Sequence, residues 1–155
     1  MNSDQERDFH LHQCEQCFQN AWTIINIIID EQQKHDCLNY SNKLISPAFQ
    51  FLLIEYSKPY TKSIGIYKKN YILSDEFIPS EYVDLHKKII TSRNQKHAHH
   101  DLTVLEAECI EGYDNMYIMN KSFPTEFLSQ INSIKNLIEK SIDNMHKQFK
   151  KEAEQ

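Results

Sequence analysis

The amino-acid sequence predicts an all-α protein with minor β content. Only two glycines and four prolines occur in 155 residues, which disfavours sandwiches, barrels and other folds that need many tight turns. Hydrophobic residues make up 40% of the chain and aromatic residues 11%, which is a globular composition. A chain of this length suits one continuous core. We therefore expect a single helical domain over residues 1–155.

Two helices are predicted in the first sixty residues. From residue 4 to about 34, apolar side chains recur at roughly helical spacing, and Ser3 or Asp4 can cap the start of the helix. The apolar positions are Phe9, Phe18, Trp22, Ile25 and Ile29. Ser46 and Pro47 form a second helix-start signal. The strongly apolar run after them predicts a central core helix that ends before Pro59.

The middle of the chain predicts a short β-excursion followed by a third helix. Residues 60–79 alternate loosely in polarity and are rich in tyrosine and β-branched side chains, as in a short hairpin or an ordered loop. Pro79, Ser80 and Glu81 then form a helix-start signal. The third helix is expected to reach about His99.

The last third of the chain predicts a hairpin and a long helix. Residues 104–110 and 117–119 flank a turn-like cluster at 111–115, which indicates a small antiparallel hairpin. A long helix is predicted from Pro124 to about Glu152, because an apolar stripe recurs along it. The stripe consists of Phe127, Ile131, Ile134, Leu137, Ile138, Ile142 and Met145.

The charge and cysteine content limit the classes of function. A net charge of −5 excludes a protein that holds nucleic acid through its overall field. Residues 86–100 nevertheless contain cationic and protonatable side chains without an acidic one, which allows a local phosphate site. We expect no secretory signal, because residues 1–13 contain no basic segment followed by an apolar run, and the most apolar stretch, 22–29, is too short to span a bilayer. Four unevenly spaced cysteines give no disulfide framework, so we expect a reduced, cytoplasmic protein without membrane association.

The segment 85–101 carries the strongest functional signal. Arg93 supplies a permanent planar cation suited to phosphate oxygens, and histidine exchanges a proton near neutral pH. Together they suit metal-free RNA cleavage, in which a 2′-hydroxyl is deprotonated and phosphate charge is stabilised. On an unbroken helix, His97 and His100 lie near the face of Arg93, whereas His99 lies about 120° away. His99 can converge on Arg93 if the helix unwinds or if two subunits form the site. The alternative is a solvated, charged helix end that the helix dipole stabilises.

A family resemblance favours the RNA-cleaving interpretation. Arg93 and Asn94, followed by Ala98, His99 and Asp101, resemble the motif of the HEPN superfamily, an arginine separated by four to six residues from a histidine. The resemblance implies a four- to five-helix up-and-down bundle, usually dimeric, in which the motifs of two subunits face a shared cleft. Many similar proteins are metal-independent endoribonucleases of toxin–antitoxin and phage-defence systems.

The resemblance also implies roles for individual residues. Arg93 would bind and polarise the scissile phosphate, His99 would act as general base or acid, and Asn94 would orient one of them. His100 stands where similar sequences have a small polar residue, so either histidine can be the proton carrier. The supporting basic side chains expected to bind RNA or phosphate are Lys88, Lys96 and His97.

The expected ligand is RNA or a nucleotide, and the expected partners are a second copy of the chain and an antitoxin or other partner protein. No cofactor and no metal are expected. A non-catalytic HEPN-like module that binds nucleotide, RNA or protein is the alternative function.

A structural zinc site is a third hypothesis, because paired cysteines and nearby histidines are zinc ligands. Its residues would come from His10, His12, Cys14, Cys17, His35 and Cys37.

Overall fold

The computed structural model describes residues 3–34, 45–65, 68–94, 107–108, 117–118 and 125–153. These residues are mostly helical, as the sequence predicts. The α-helices are α1 (Ser3–Lys34), α2 (Ile45–Ser57), α3 (Val83–Ser92), α4 (Thr125–Leu128) and α5 (Ile131–Ala153). Within the described ranges, no helix is long and apolar enough to cross a bilayer.

Two small antiparallel hairpins interrupt the helices, and both coincide with predicted β-segments. In the first, β1 (Ser63–Ile64) pairs with β2 (Asn70–Tyr71). In the second, β3 (Ala107–Glu108) pairs with β4 (Tyr117–Ile118). The first hairpin lies between α2 and α3, where the sequence allowed either a hairpin or an ordered loop.

Helix α1 buries a stripe that differs in part from the predicted one. The buried positions are separated by four, three, four and three residues, which is the spacing of one helix face. They are Cys14, Phe18, Ala21, Ile25 and Ile28. Phe9 is 57% exposed and Trp22 is 38% exposed. The prediction that these two side chains belong to the core stripe is therefore wrong, because both lie beside the face that packs.

Helix α2 is the central element, and it packs against α1 and α3. Its fully buried side chains are Phe49, Leu52, Leu53 and Tyr56. Glu55 is also buried, but it accepts a hydrogen bond from Asn20 Nδ2 of α1 at 3.1 Å and pairs with Lys58. A buried carboxylate is tolerated when it is paired in this way. The α-helix ends at Ser57, before Pro59 as the sequence predicts, and the chain continues as a 3₁₀ turn, Lys58–Tyr60.

The predicted C-terminal helix is two helices. Ser129 and Gln130 form a turn between α4 and α5, in which the Gln130 amide donates to the Phe127 carbonyl at 2.9 Å. All seven residues of the predicted apolar stripe are buried. The turn changes the helix phase, so that Leu128 is buried beside Phe127.

Helix α5 packs along α1. Two polar contacts join these helices outside the core. Trp22 Nε1 donates to Glu139 Oε1 at 2.9 Å, and His146 Nε2 lies 2.7 Å from Glu15 Oε1. The shorter helix α3 packs on this assembly through α2.

Candidate functional site

Helix α3 has one buried face and one solvent face. Leu85, His86 and Ile89 are buried, whereas Lys87 and Lys88 are exposed. The helix begins after a 3₁₀ turn, Ser80–Tyr82, and continues past Ser92 as a π-type turn at 93–94. Its predicted extension to His99 lies outside the described residues.

Arg93 lies at the end of the buried face. It follows His86 by seven residues, which places it only about 20° from His86 around the helix. Its side chain is accordingly half-buried. Lys88, predicted to bind phosphate, lies about 140° around the helix from Arg93 and is exposed. Arg93 therefore continues the buried face of α3, on a different side of the helix from this lysine, while its guanidinium bonds to the exposed Asn94.

Arg93 and Asn94 are in direct contact. Arg93 Nη1 donates a hydrogen bond to Asn94 Oδ1 at 3.0 Å. The Arg93 backbone amide donates to the carbonyls of Ile89 and Ile90, which fixes the main chain at this position. An amide oxygen that holds one edge of the fork restricts the directions in which the guanidinium can present its other donors. The remaining predicted site residues, Lys96, His97, His99 and His100, lie outside the described residues.

A buried aromatic cluster anchors α3 to α2. The Tyr56 hydroxyl and His86 Nδ1 are hydrogen-bonded at 2.9 Å, and the Tyr60 ring meets the His86 ring edge-on with centroids 4.5 Å apart. His86 is only 8% exposed. Although it belongs to the histidine-rich segment, His86 is thus a core residue. The only sequence signal for this role is its position between the buried Leu85 and Ile89.

The polar groups of this region are held in their neutral forms. Burial raises the pKa of Tyr56, and it raises the pKa of Tyr60 more than the neighbouring Ser141 and Tyr56 hydroxyls lower it. Burial is also the main reason why the pKa of His86 is lowered, against an opposing effect of Asp75. A neutral imidazole beside two phenols packs without the cost of burying a charge.

The buried Ser92 hydroxyl is a further polar group at the end of α3. It makes no hydrogen bond within the described part of the chain and immediately precedes Arg93. Buried polar atoms without partners are rare in folded proteins, and a catalytic role is one of the explanations for them. The sequence alone does not point to this serine, because a serine in a helix carries no distinctive pattern.

We expect the free energy of unfolding to fall as the pH is lowered below about 6.5, the ordinary pKa of histidine. Burial lowers the pKa values of His86 and His10, so the unfolded chain takes up these protons first. The stabilisation is complete above the unfolded-state pKa, declines below it, and levels off below the folded-state pKa. Urea unfolding across this pH range measures the slope. His86→Gln and His10→Gln should each flatten it, and unchanged slopes in both variants would contradict the assignment.

Cys14 and Cys17 belong to no metal-binding group among the residues that the structure describes. Cys14 and Cys17 are free thiols, and burial, with a smaller contribution from Cys17, raises the pKa of Cys14 to about 12. His10 Nε2 lies 3.6 Å from Cys14 Sγ. Among the residues that the structure describes, no group of three histidine, cysteine or acidic side chains is arranged to hold a metal ion. His35 and Cys37, the other residues of the zinc hypothesis, lie outside them.

Comparisons of the chain with protein-family models, with curated proteins and with solved structures return no match. The residues at the end of α3 and their chemistry are therefore the basis for a functional proposal.

Proposed function

We propose that this protein is a metal-independent endoribonuclease of the HEPN type, with its cleavage site at the end of α3. Arg93 and His99 are the principal residues of the proposed site, and Asn94, Lys96 and His100 support them. The protein would act as a homodimer in which two copies contribute to one cleft. A role in a toxin–antitoxin or phage-defence system follows from the same resemblance, with an antitoxin as the partner protein.

The observation that carries the proposal is the position of Arg93. A solvated helix end would place its arginine among the exposed lysines, but Arg93 continues the buried face of α3 and bonds to Asn94. A half-buried arginine side chain is restricted before a ligand arrives, so it presents its planar fork to a phosphate in fewer orientations. The adjacent buried Ser92 hydroxyl adds an unused donor at the same end of the helix.

The proposed reaction is transesterification at a phosphodiester. One imidazole accepts the proton of the 2′-hydroxyl, whose oxygen then forms a bond to phosphorus. The bond from phosphorus to the 5′-oxygen breaks, and an imidazolium donates a proton to that oxygen. Arg93 stabilises the charge that develops on the phosphate oxygens. The products are a 2′,3′-cyclic phosphate and a 5′-hydroxyl, and the proton carrier is either His99 or His100.

We expect the wild-type protein to cleave single-stranded RNA in excess EDTA, because the proposed chemistry needs no metal ion. Mass spectrometry of the fragments should show 2′,3′-cyclic phosphate ends, and light scattering should give the mass of a dimer. A matched DNA oligonucleotide, which lacks the nucleophilic 2′-hydroxyl, should remain intact. RNA binding without turnover would contradict the nuclease and favour a non-catalytic binding module. Cleavage that requires added metal would contradict the mechanism.

A further inference from the structure

Helix α3 is held in place by apolar contacts and by a directional polar one. Leu85 and Ile89 contribute apolar side chains to the core, whereas His86, on the same face, is hydrogen-bonded through Nδ1 to the Tyr56 hydroxyl of α2 at 2.9 Å. Apolar contacts are non-directional, but a hydrogen bond weakens steeply when its distance or angle changes. The hydrogen bond therefore opposes rotation of α3 about its axis more strictly than the apolar contacts do.

The Tyr56 hydroxyl is a fixed point for this bond. Tyr56 is fully buried, and its ring lies 5.8 Å from the Phe18 ring of α1 and 5.7 Å from the Tyr60 ring, measured between centroids. In a close-packed core, a side chain surrounded in this way has little room to move. When α3 rotates, Tyr56 cannot follow His86, so the bond is lost.

Arg93 shares the orientation of His86. The two residues lie seven positions apart, about 10 Å along the helix axis and nearly in line on its surface. The Arg93 amide donates to the carbonyls of Ile89 and Ile90, so the helical backbone is continuous between them. With a helix radius of about 6 Å including side chains, a rotation of about 10° moves a side-chain end by about 1 Å. A misplacement of that size can cost an enzyme about 100-fold in rate.

We propose that Tyr56 and His86 are a pair of positioning residues, whose hydrogen bond keeps α3 docked in one orientation and thereby determines where Arg93 presents its guanidinium. Neither residue contacts RNA in this proposal, and both act through Arg93. The consequence for RNA cleavage rests on the proposed function, whereas the effect on Arg93 itself requires no catalytic activity.

Tyr56→Phe tests the pair, because it removes the hydroxyl and keeps the ring. Hydrogen exchange of the Arg93 amide, followed by NMR, should become about three- to tenfold faster, as expected for the loss of one hydrogen bond of ordinary strength. A conservative replacement of the histidine should preserve the bond. His86→Asn keeps an amide group near the position of Nδ1 that can bond to the Tyr56 hydroxyl, so exchange should be slower in this variant than in His86→Leu.

Two control variants separate the hydrogen bond from general packing. Tyr60→Phe makes the same change on a ring that meets His86 edge-on, but its hydroxyl makes no hydrogen bond within the part of the chain that the structure describes. Ile138→Val removes one methylene from a fully buried side chain of α5 and should destabilise the domain about as much as Tyr56→Phe does. Exchange at Arg93 should stay within about twofold of wild type in both controls.

Unchanged exchange at Arg93 in Tyr56→Phe would overturn the positioning role, and so would an equal increase in Tyr56→Phe and Ile138→Val. Tyr56→Phe should also slow RNA cleavage by about 5- to 50-fold, with little effect of Tyr60→Phe. Faster exchange with an unchanged cleavage rate would break the link to the RNA site. If the wild-type protein does not cleave RNA, the proposed function fails, and the exchange measurements still decide whether the pair positions Arg93. If Tyr56→Phe does not fold, the comparison of His86→Asn with His86→Leu decides.

Discussion

Arg93→Ala is expected to lower the rate of RNA cleavage by about 100- to 1,000-fold, the usual loss when one preorganised donor to a developing oxyanion is removed. The reason is that Arg93 supplies the charge and the planar fork that hold the phosphate in the proposed site. Arg93→Lys should restore little of the rate, because an ammonium does not reproduce two parallel N–H donors. Single-turnover cleavage of a labelled RNA in EDTA measures the effect.

The matched control for Arg93 is Lys87→Ala. Lys87 is an exposed cation on the same helix, and its removal changes the net charge by the same amount. We expect this variant to keep most of the wild-type rate. An equal loss in the two variants would mean that general charge attraction, rather than a defined site, accounts for the activity. Unfolding curves must show that both variants are folded before their rates are compared.

His99→Ala and His100→Ala identify the proton carrier within the same experiment. Replacing the histidine that transfers the proton by alanine should lower the cleavage rate strongly. Replacing the neighbouring histidine should lower the rate less. The pH–rate profile of the remaining activity should lose one limb in the sensitive variant. Unchanged rates in both variants would contradict histidine catalysis in this protein.

The sequence predicted α5 well because its periodicity is unambiguous. Ile134, Leu137, Ile138 and Met145 recur on one side, with asparagine, lysine and glutamate between them. All of the stripe is buried. The break before Ile131 was not predictable in the same way, since it contains neither glycine nor proline and the apolar pattern runs through it without a gap.

The face of α1 that packs into the core could not be predicted from the sequence with the same accuracy. Residues 24–29 contain five isoleucines, so apolar side chains occur on several sides of the helix and do not define one face. The buried stripe includes two small residues, Cys14 and Ala21. Small side chains contribute little to a pattern of large apolar positions. Packing against α2 and α5 selects the face, and that is tertiary information.

Only those contacts of the candidate site that join neighbouring residues in the sequence were predictable. Arg93 and Asn94 are adjacent, so their contact follows from the sequence, but the half-buried position of Arg93 depends on the way α3 packs. The hydrogen bond between Tyr56 and His86 joins residues thirty positions apart. No local spacing reports such a pair. The sequence alone therefore presents the segment 85–101 as one functional unit, although His86 belongs to the core.

The buried face of α1 leads to the largest expected effect on stability. Phe18→Ala should lower the free energy of unfolding by about 3–5 kcal/mol, a large part of the total stability of a typical domain. Phe18 is fully buried, and its ring lies 5.8 Å from the Tyr56 ring and 5.9 Å from the Tyr60 ring, measured between centroids. Truncation leaves a cavity beside the cluster that anchors α3, so the two aromatic partners also lose contacts.

Phe9→Ala is the matched control for Phe18→Ala, because it makes the same change on the same helix at a position that is 57% exposed. Its effect should stay within about 0.5 kcal/mol, as for most surface substitutions. Urea unfolding of both variants, followed by circular dichroism, compares the two values directly. Similar losses in both variants, or a larger loss for Phe9→Ala, would mean that the helix packs through the face that the isolated sequence suggested. A loss of stability in Phe18→Ala alone establishes that α1 packs through the observed face. The positions of α2, α3 and Arg93 all depend on that face.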